Sequence, residues 1–288
     1  MSAIFLISGA DFHGGTMKLQ SVVIKRKLCL FSVLFALFVN STALMAECNK
    51  ELVNGWGGRW EPFLMGTYDK PSGLDMELLD AVVKASGCTW RNTRLEIPWA
   101  RHLQWVKSGE LDLATAVSWT QERAEYAFFT KPYRNEYVAI YVRKTDVEKY
   151  SRFSLEELAR EFDGIGIEFG NVYGNEMDVL LEAMGERVQR VASNKQNMAK
   201  LIGKRIDGYL GHIPYESIEV RSKGYENEIV TLPVSVVKTG SVHFMLSKIA
   251  NTEKIFRALD AGLAKIKADG TYDQIIKKYS DQYGLSYW

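Results

Sequence analysis

Histidine and cysteine are scarce: four and three respectively in 288 residues. His102, His212 and His243 stand far apart, without the short spacing that gathers metal ligands, so no metal site is expected. No cysteine–histidine arrangement and no Gly-x-Ser-x-Gly turn offers a nucleophile, and no catalytic residue is assigned. The glycines of "GIGIEFG" (Gly164 to Gly170) lack the spacing of a dinucleotide fingerprint, so no cofactor is expected. Excess charge is missing as well. With 36 Lys and Arg against 35 Asp and Glu the net charge is +1, and no basic field draws nucleic acid. Internal repeats, low-complexity segments and long linkers are absent.

Long apolar runs are limited to one. "LCLFSVLFALFV" (Leu28 to Val39) follows Lys25, Arg26 and Lys27 and precedes the small residues of "NSTALMAEC". It is shorter than the about 20 apolar residues of a membrane span. A basic start, an apolar centre and a small-residue end read as a secretory signal peptide covering 1–46, with cleavage after Ala46 or Ala43 and Met17 as an alternative start. A retained amphipathic anchor is the competing reading, and it lacks a polar face. Removal takes away Lys18, Lys25, Arg26, Lys27 and Asp11, leaving 32 basic and 34 acidic residues, a net charge of −2. The expected product is an exported, periplasmic, monomeric protein.

What remains is globular in composition, 47% hydrophobic and 25% charged,. Two cysteines survive cleavage, Cys48 and Cys88. An even number in an oxidising compartment suggests one disulfide, with two free thiols as the alternative. Each precedes a strand-like segment, "ELVNGW" and "TWRNTRLEI". If those strands are parallel neighbours, their starts come within disulfide reach.

Strands and helices alternate along the chain. "GLDMELLDAVVKAS" has apolar residues at helical spacing and stops at "SGC". "PWARHLQWVKSGE" opens on Pro98, "LDLATAV" is a third strand, and the order predicts a parallel sheet with right-handed crossovers. "EYVAIYVRK" is a longer strand. Ser154 and Glu157 form a capping-box pattern opening a second βα unit. In that unit "RIDGYL" reads as a strand, "IPYESIEVRSKG" as a helix and "EIVTLPVSVV" as an extended piece. Two helices split at Asp269-Gly270 close the chain. The fold class expected is α/β: lobe 1 from 47–142 and 238–288, lobe 2 from 143–237, each a mostly parallel sheet flanked by helices. Two hinge strands join the lobes, with a cleft at the carboxyl ends of both sheets.

"SWTQERAEYAFFTKPY" (Ser118 to Tyr133) places Ser118, Thr120 and Arg123 between a strand and an aromatic run. These groups are either a small anion site, with a guanidinium fork matched to a carboxylate, or a helix cap at Thr120 beside a solvated arginine. Asp75 and Glu77 are expected to face solvent or the dipole at their helix's start.

"WEPF", "GLDMELLDAV", "IPWARHLQWVKSGELDLA", "SWTQERAEYAFFTKPY", "GIGIEFGN", "LIGKRIDGYLG" and "ALDAGLAKIKADGTYDQIIKKY" come in this order across essentially the whole mature chain. Together they resemble the family-3 extracellular solute-binding proteins, the amino-acid-type periplasmic binding proteins of ABC importers, which have the two-lobed (type II) fold. The resemblance implies a small amino-acid-like ligand whose carboxylate is gripped by Ser118, Thr120 and Arg123. It implies aromatic walls at Trp60 and Trp99, for which core packing is the plain alternative, and a second-lobe loop-to-helix start at Gly170-Asn171, where the family has Gly followed by Ser or Thr. Its acidic partner for the ligand's α-amino group falls at His212. A histidine is no fixed anion. Either Glu216 or Glu168 takes that part, the ligand is not a standard α-amino acid, or His212 only lines the cleft. The implied partner is an ABC permease. A membrane sensor kinase or cyclase is the alternative, and a periplasmic dehydratase on the same fold a more distant one.

Overall fold

The computed structural model describes residues 48, 50–251 and 253–283. The expected leader at 1–46, with its cleavage points and Cys29, lies outside them. The first unit begins with β1 (Glu51–Trp56), followed by a small ribbon of β2 (Met65–Gly66) and β3 (Pro71–Ser72). Next come α1 (Leu74–Ala85), β4 (Thr89–Glu96), α2 (Trp99–Ser108) and β5 (Leu113–Ser118). Leu74, Leu78, Leu79, Val82 and Val83 of α1 are all buried, the stripe that helical spacing puts on one face. α2 starts directly after Pro98 and ends at Gly109, whose φ of 83° supplies the left-handed cap,.

Short α3 (Gln121–Tyr126) and β6 (Ala127–Phe129) lead into the long β7 (Arg134–Arg143). The second unit contains α4 (Val147–Tyr150), α5 (Leu155–Glu161), β8 (Ile165–Glu168), α6 (Asn175–Met184) and β9 (Val188–Val191). It continues with α7 (Asn194–Ile202), β10 (Gly208–Ile213), α8 (Tyr215–Ser222) and β11 (Ile229–Thr231). The capping box of α5 is formed: Ser154 Oγ accepts from Glu157 N, and Glu157 accepts from Ser154 N. β12 (Val237–Ser247) returns to the first unit, and α9 (Glu253–Ala268) and α10 (Thr271–Tyr283) close the chain.

β1 pairs in parallel with both β4 and β5. Glu51 lies beside Thr89 in this register, so the two strand starts adjoin, and Cys48 and Cys88 are disulfide-bonded with Cα atoms 5.0 Å apart. The sheets expected in the two lobes are continuous through the strands that join them. The strands form a single mixed ladder, β4-β1-β5-β12-β7-β10-β8-β9, with β6 on β12 and β11 on β7. The join is made by β7 and β12, which pair antiparallel to each other.

Period-two alternation lets β7 serve two cores. Val138, Ile140 and Val142 pack with Leu158, Phe162, Ile165, Met177 and Leu181 on one face. Ala139 and Tyr141 pack with Met198, Leu201, Tyr209 and Ile229 on the other,. In the first lobe α1, α9 and α10 cover one face around Leu79, Val82, Phe244, Leu259, Leu263 and Tyr279. α2 covers the other around Ile97, Val106, Val117 and Met245. Tyr279 pins the last helix to the first: its hydroxyl accepts from Gly73 N at 3.0 Å and donates to Glu77 at 2.7 Å.

Two segments differ from the sequence reading. A turn at Gly203–Lys204, with Lys204 at φ 54°, precedes "RIDGYL", whose first three residues are irregular, the Asp207 carboxylate capping the amides of Asp163 and Gly164, so β10 starts at Gly208. "EIVTLPVSVV" is interrupted at Pro233–Ser235, a 3₁₀ turn. There proline has no N–H for a ladder, and Ser235 Oγ instead accepts from Ile140 N at 2.7 Å.

Candidate functional site

Between the two lobes lies a cavity of 570 Å³, within the usual range for a small-molecule site. Its walls come from the carboxyl ends of β1, β5, β8 and β10 and from the first turns of α2, α7 and α8. This follows from the topology: strand ends in open α/β sheets are where backbone and loop groups converge without a helix above them.

Arg123 lines this cavity and is buried. Its Nη1 donates to Ser118 O at 2.8 Å and its Nη2 to Gly170 O at 2.6 Å. The second of these bonds crosses the cleft. No carboxylate pairs with Arg123 among the described residues. Burial draws its guanidinium below the usual value, with Tyr126, Glu122 and Glu136 opposing that effect. Thr120 plays the capping part: its Oγ1 accepts from Arg123 N at 3.2 Å, and it is not among the cavity residues. Ser118 is, and its carbonyl oxygen orients the arginine. The two sequence readings of this stretch are therefore combined: a cap at Thr120 sets the backbone from which Arg123 enters the cleft.

Trp60 and Trp99 both line the cavity. Trp99 Nε1 donates to Gly170 O at 3.1 Å, the same acceptor that Arg123 uses. Gly170 has φ 83°, and a Cβ there would stand 3.2 Å from Leu103 and 3.3 Å from Trp99. Trp60 lies 4.5 Å from Phe63 and, edge-on, 6.0 Å from His212. Gly170 and Asn171 line the cavity in a loop, but they do not open a helix. α6 begins four residues later, after Gly174 at φ 87°, so the expected loop-to-helix start is corrected to Asn175. Neither Gly174 nor Asn175 is among the residues lining the cavity.

Asp75 is the second correction. It does not face solvent; it is 1% exposed. Arg134 grips it with two bonds of 2.8 Å from Nε and Nη2, and Nη2 also reaches Glu136 at 3.1 Å. Burial disfavours the charge on Arg134, but Asp75 and Glu136 outweigh that and hold its pKa above the ordinary guanidinium value. The guanidinium carbon lies 4.0 Å from the Phe63 ring centre and 5.5 Å from that of Trp60, a geometry that adds cation–π attraction. Glu77, by contrast, reaches the partly exposed Lys278 at 2.6 Å. The signal missed in the sequence was Arg134-x-Glu136, two charges on one face of an otherwise apolar strand.

His212 lines the cavity, and its Nδ1 has no hydrogen-bond partner. Glu136 Oε2 is 3.7 Å away. Burial pushes the imidazole below its usual pKa, against the pull of Glu136. Glu168 and Glu216, considered from the sequence as partners of a ligand cation, both line the cavity. Burial raises Glu168 to about 7 and Glu216 to about 8. Among the described residues no group of three or more His, Cys, Asp or Glu is arranged to hold a metal ion. None of the helices there is long and apolar enough to cross a membrane.

An arginine without an acidic partner, aromatic walls and lobes joined by two strands are the features of a solute clamp. The model of the bacterial extracellular solute-binding proteins, family 3, matches residues 52–282. The chain belongs to that family. It is 27% identical over 253 residues to a probable histidine-binding protein of Campylobacter jejuni, a match covering 83% of this chain and 89% of the relative. Among solved structures, the arginine-, lysine-, histidine-binding protein ArtJ of Geobacillus stearothermophilus superposes with a TM-score of 0.65. The identity is 19%, and 82% of this chain and 96% of that one are covered. A histidine kinase sensor domain with similarity to periplasmic binding proteins gives the same TM-score at 20% identity, covering 80% and 96%. At these identities the two structures establish the shared two-lobed fold.

Proposed function

We propose that this family member captures a small, carboxylate-bearing, amino-acid-like solute in its interlobe cleft, in the periplasm, and delivers it to an ABC importer. The lobe limits of 47–142 with 238–288, and 143–237, belong to this reading. The observation that carries it is Arg123: a buried guanidinium on the cleft wall, held by two carbonyl oxygens and matched to no carboxylate among the described residues. Neutral carbonyls fix its position without cancelling its charge, so an anionic guest gains charge-assisted bonds there. Ser118 and Thr120 place that arginine, Trp60 and Trp99 wall the guest, and Gly170, Asn171 and His212 approach it from the second lobe.

Ligand contacts from both lobes favour the closed arrangement, and a partner recognises that shape. A dissociation constant of about 0.1–10 μM corresponds to roughly −7 to −9.5 kcal/mol. The second reading, a soluble sensor feeding a membrane kinase, is favoured by the likeness to the kinase sensor domain. Its binding chemistry is the same, and a neighbouring permease or kinase gene separates the two.

The test is a thermal-shift screen of amino acids, short peptides and other carboxylates, followed by calorimetry of the hits. Stable stoichiometric binding without turnover is expected. Arg123→Ala should weaken binding by at least about 30-fold, the loss of one or two charge-assisted bonds, while the unliganded melting curve stays nearly unchanged. An Arg123→Ala protein that binds like the wild type removes the anion-site reading.

A further inference from the structure

We propose that Glu168 and Glu216, both tied to Asn194 on the second lobe's wall, form a subsite for a compact cation on the ligand, so that the captured solute is an amino acid with a positively charged side chain. This rests on the cleft being the solute site, as above, and adds the ligand's charge.

The two carboxylates share one anchor. Asn194 Nδ2 donates to Glu216 Oε1 at 2.9 Å, and the Asn194 backbone N–H serves Glu168. The anchor is itself fixed, since Nδ2 also reaches Leu210 O at 3.0 Å and Oδ1 accepts from Asn197 at 2.8 Å. Tyr209 donates to the other oxygen of Glu216 at 3.2 Å. Glu168, Asn194 and Glu216 all face the cavity. Neither glutamate has a Lys, Arg or His at ion-pair distance among the described residues.

The surroundings make the deficit plain. β7 contributes Glu136, and Arg134 there is already committed to Asp75 and Glu136. β10 contributes Tyr209 and His212, and α8 contributes Tyr215 and Glu219. Tyr173, ahead of α6, accepts from Glu168 N through its hydroxyl at 2.9 Å. Lys195 on α7 and Arg59 on the opposite lobe line the cavity, and neither pairs with these carboxylates. Once Glu168 and Glu216 are ionised, the site sets Arg123 and Arg134 against Asp75, Glu136 and these two glutamates, of which Glu168 is half-buried and Glu216 buried. A zwitterion leaves that excess of negative charge as it is, whereas a ligand with one further cation reduces it.

His212 points the same way independently. It is 11% exposed, its Nδ1 has no hydrogen-bond partner, and burial draws the imidazole below its usual pKa against the pull of Glu136. A neutral imidazole nitrogen accepts a hydrogen bond from a ligand N–H. Without ligand, burial favours the protonated form of both carboxyls, with Glu168 adding to the effect on Glu216, as the values of about 7 and 8 express,. A bound cation displaces such a proton, so affinity for it climbs with pH.

The experiment compares L-arginine with L-citrulline, which has nearly the same shape and an uncharged end group. Calorimetry at pH 8 should show arginine binding about 10- to 100-fold tighter. The gap should narrow from pH 8 to pH 6, by at most about tenfold per unit for each proton displaced. At pH 7, runs in buffers of different ionisation heat should show proton release with arginine and none with citrulline. Glu168→Gln should bring arginine down towards citrulline while the protein still melts in one cooperative step and is no less stable than the wild type at pH 8,. It is preferred to a change at Glu216, which sits deeper in the hydrogen-bond set.

Equal, pH-independent binding of both compounds overturns the subsite, as does retention of the preference in Glu168→Gln. Binding of a neutral amino acid with none of arginine, lysine or histidine bound also overturns it. Agmatine, which lacks the carboxylate, separates the two claims. If it binds as tightly as arginine, the Arg123 reading fails and the subsite stands.

Discussion

Arg123 in one lobe donates to the carbonyl oxygen of Gly170 in the other at 2.6 Å. Trp99 donates to the same oxygen at 3.1 Å, so one backbone carbonyl is the meeting point of a charge and an aromatic wall. A glycine is required there by its φ of 83° and by the 3.2 and 3.3 Å approach of Leu103 and Trp99 to any Cβ.

Gly170→Ala is therefore expected to act on closure. The left-handed backbone costs a residue with a Cβ about 1–2 kcal/mol, and the methyl also meets the opposite lobe. Ligand affinity should fall about 5- to 30-fold by calorimetry, with a smaller change in the unliganded melting temperature.

Arg134 is expected to matter for stability. Arg134→Met leaves Asp75 and Glu136 buried without their cation, which costs about 3–5 kcal/mol. Denaturant unfolding should show the midpoint dropping. Asp75→Asn should show the same direction with a smaller size, since one carboxylate stays paired.

The Cys48–Cys88 bridge closes a loop of 40 residues. Replacing both cysteines with alanine should lower unfolding stability by about 3–4 kcal/mol, the loop-entropy value for that length. Equilibrium unfolding of the double variant, compared with the oxidised protein, checks it.

The unliganded protein should lose stability as pH rises from about 5 to 8. Glu168 and Glu216 have folded pKa values of about 7 and about 8, above the unfolded value of about 4.3. The folded state thus binds more protons across that window, and the slope of stability against pH is negative there. The loss is of the order of 3 kcal/mol per group at its largest. Melting temperatures from pH 5 to 8 should fall in the wild type and fall less in Glu168→Gln.

The alternation of elements was legible because local pattern dictates it: the α1 stripe, the Ser154 capping box and the Asp269-Gly270 break all read directly. Adjacent parallel strands, and with them the Cys48–Cys88 pairing, followed from connection rules. The irregular stretch at Arg205–Asp207 and the break at Pro233 were harder, since the hydrogen bonds that favour them come from Asp163, Gly164 and Ile140, which are distant in sequence. Asp75 was misread for a similar reason. Its helix places it at an N-terminus, and only the arrival of β7 supplies Arg134. Arg123, Trp60, Trp99, Gly170, Asn171 and His212 were brought to one cavity, whereas Thr120 serves the backbone beside it.

The ladder formed by β7 and β12 is interrupted between Lys238 and Gly240, where Gly240 has φ 134° and a Cβ would meet nothing within 4 Å. One of the two crossing strands thus carries, at Gly240, a break in its pairing and a backbone conformation that side chains rarely adopt,. If the lobes close by rotation, this position is where a side chain would resist it, and Gly240→Ala should slow or weaken ligand capture without touching the guest,.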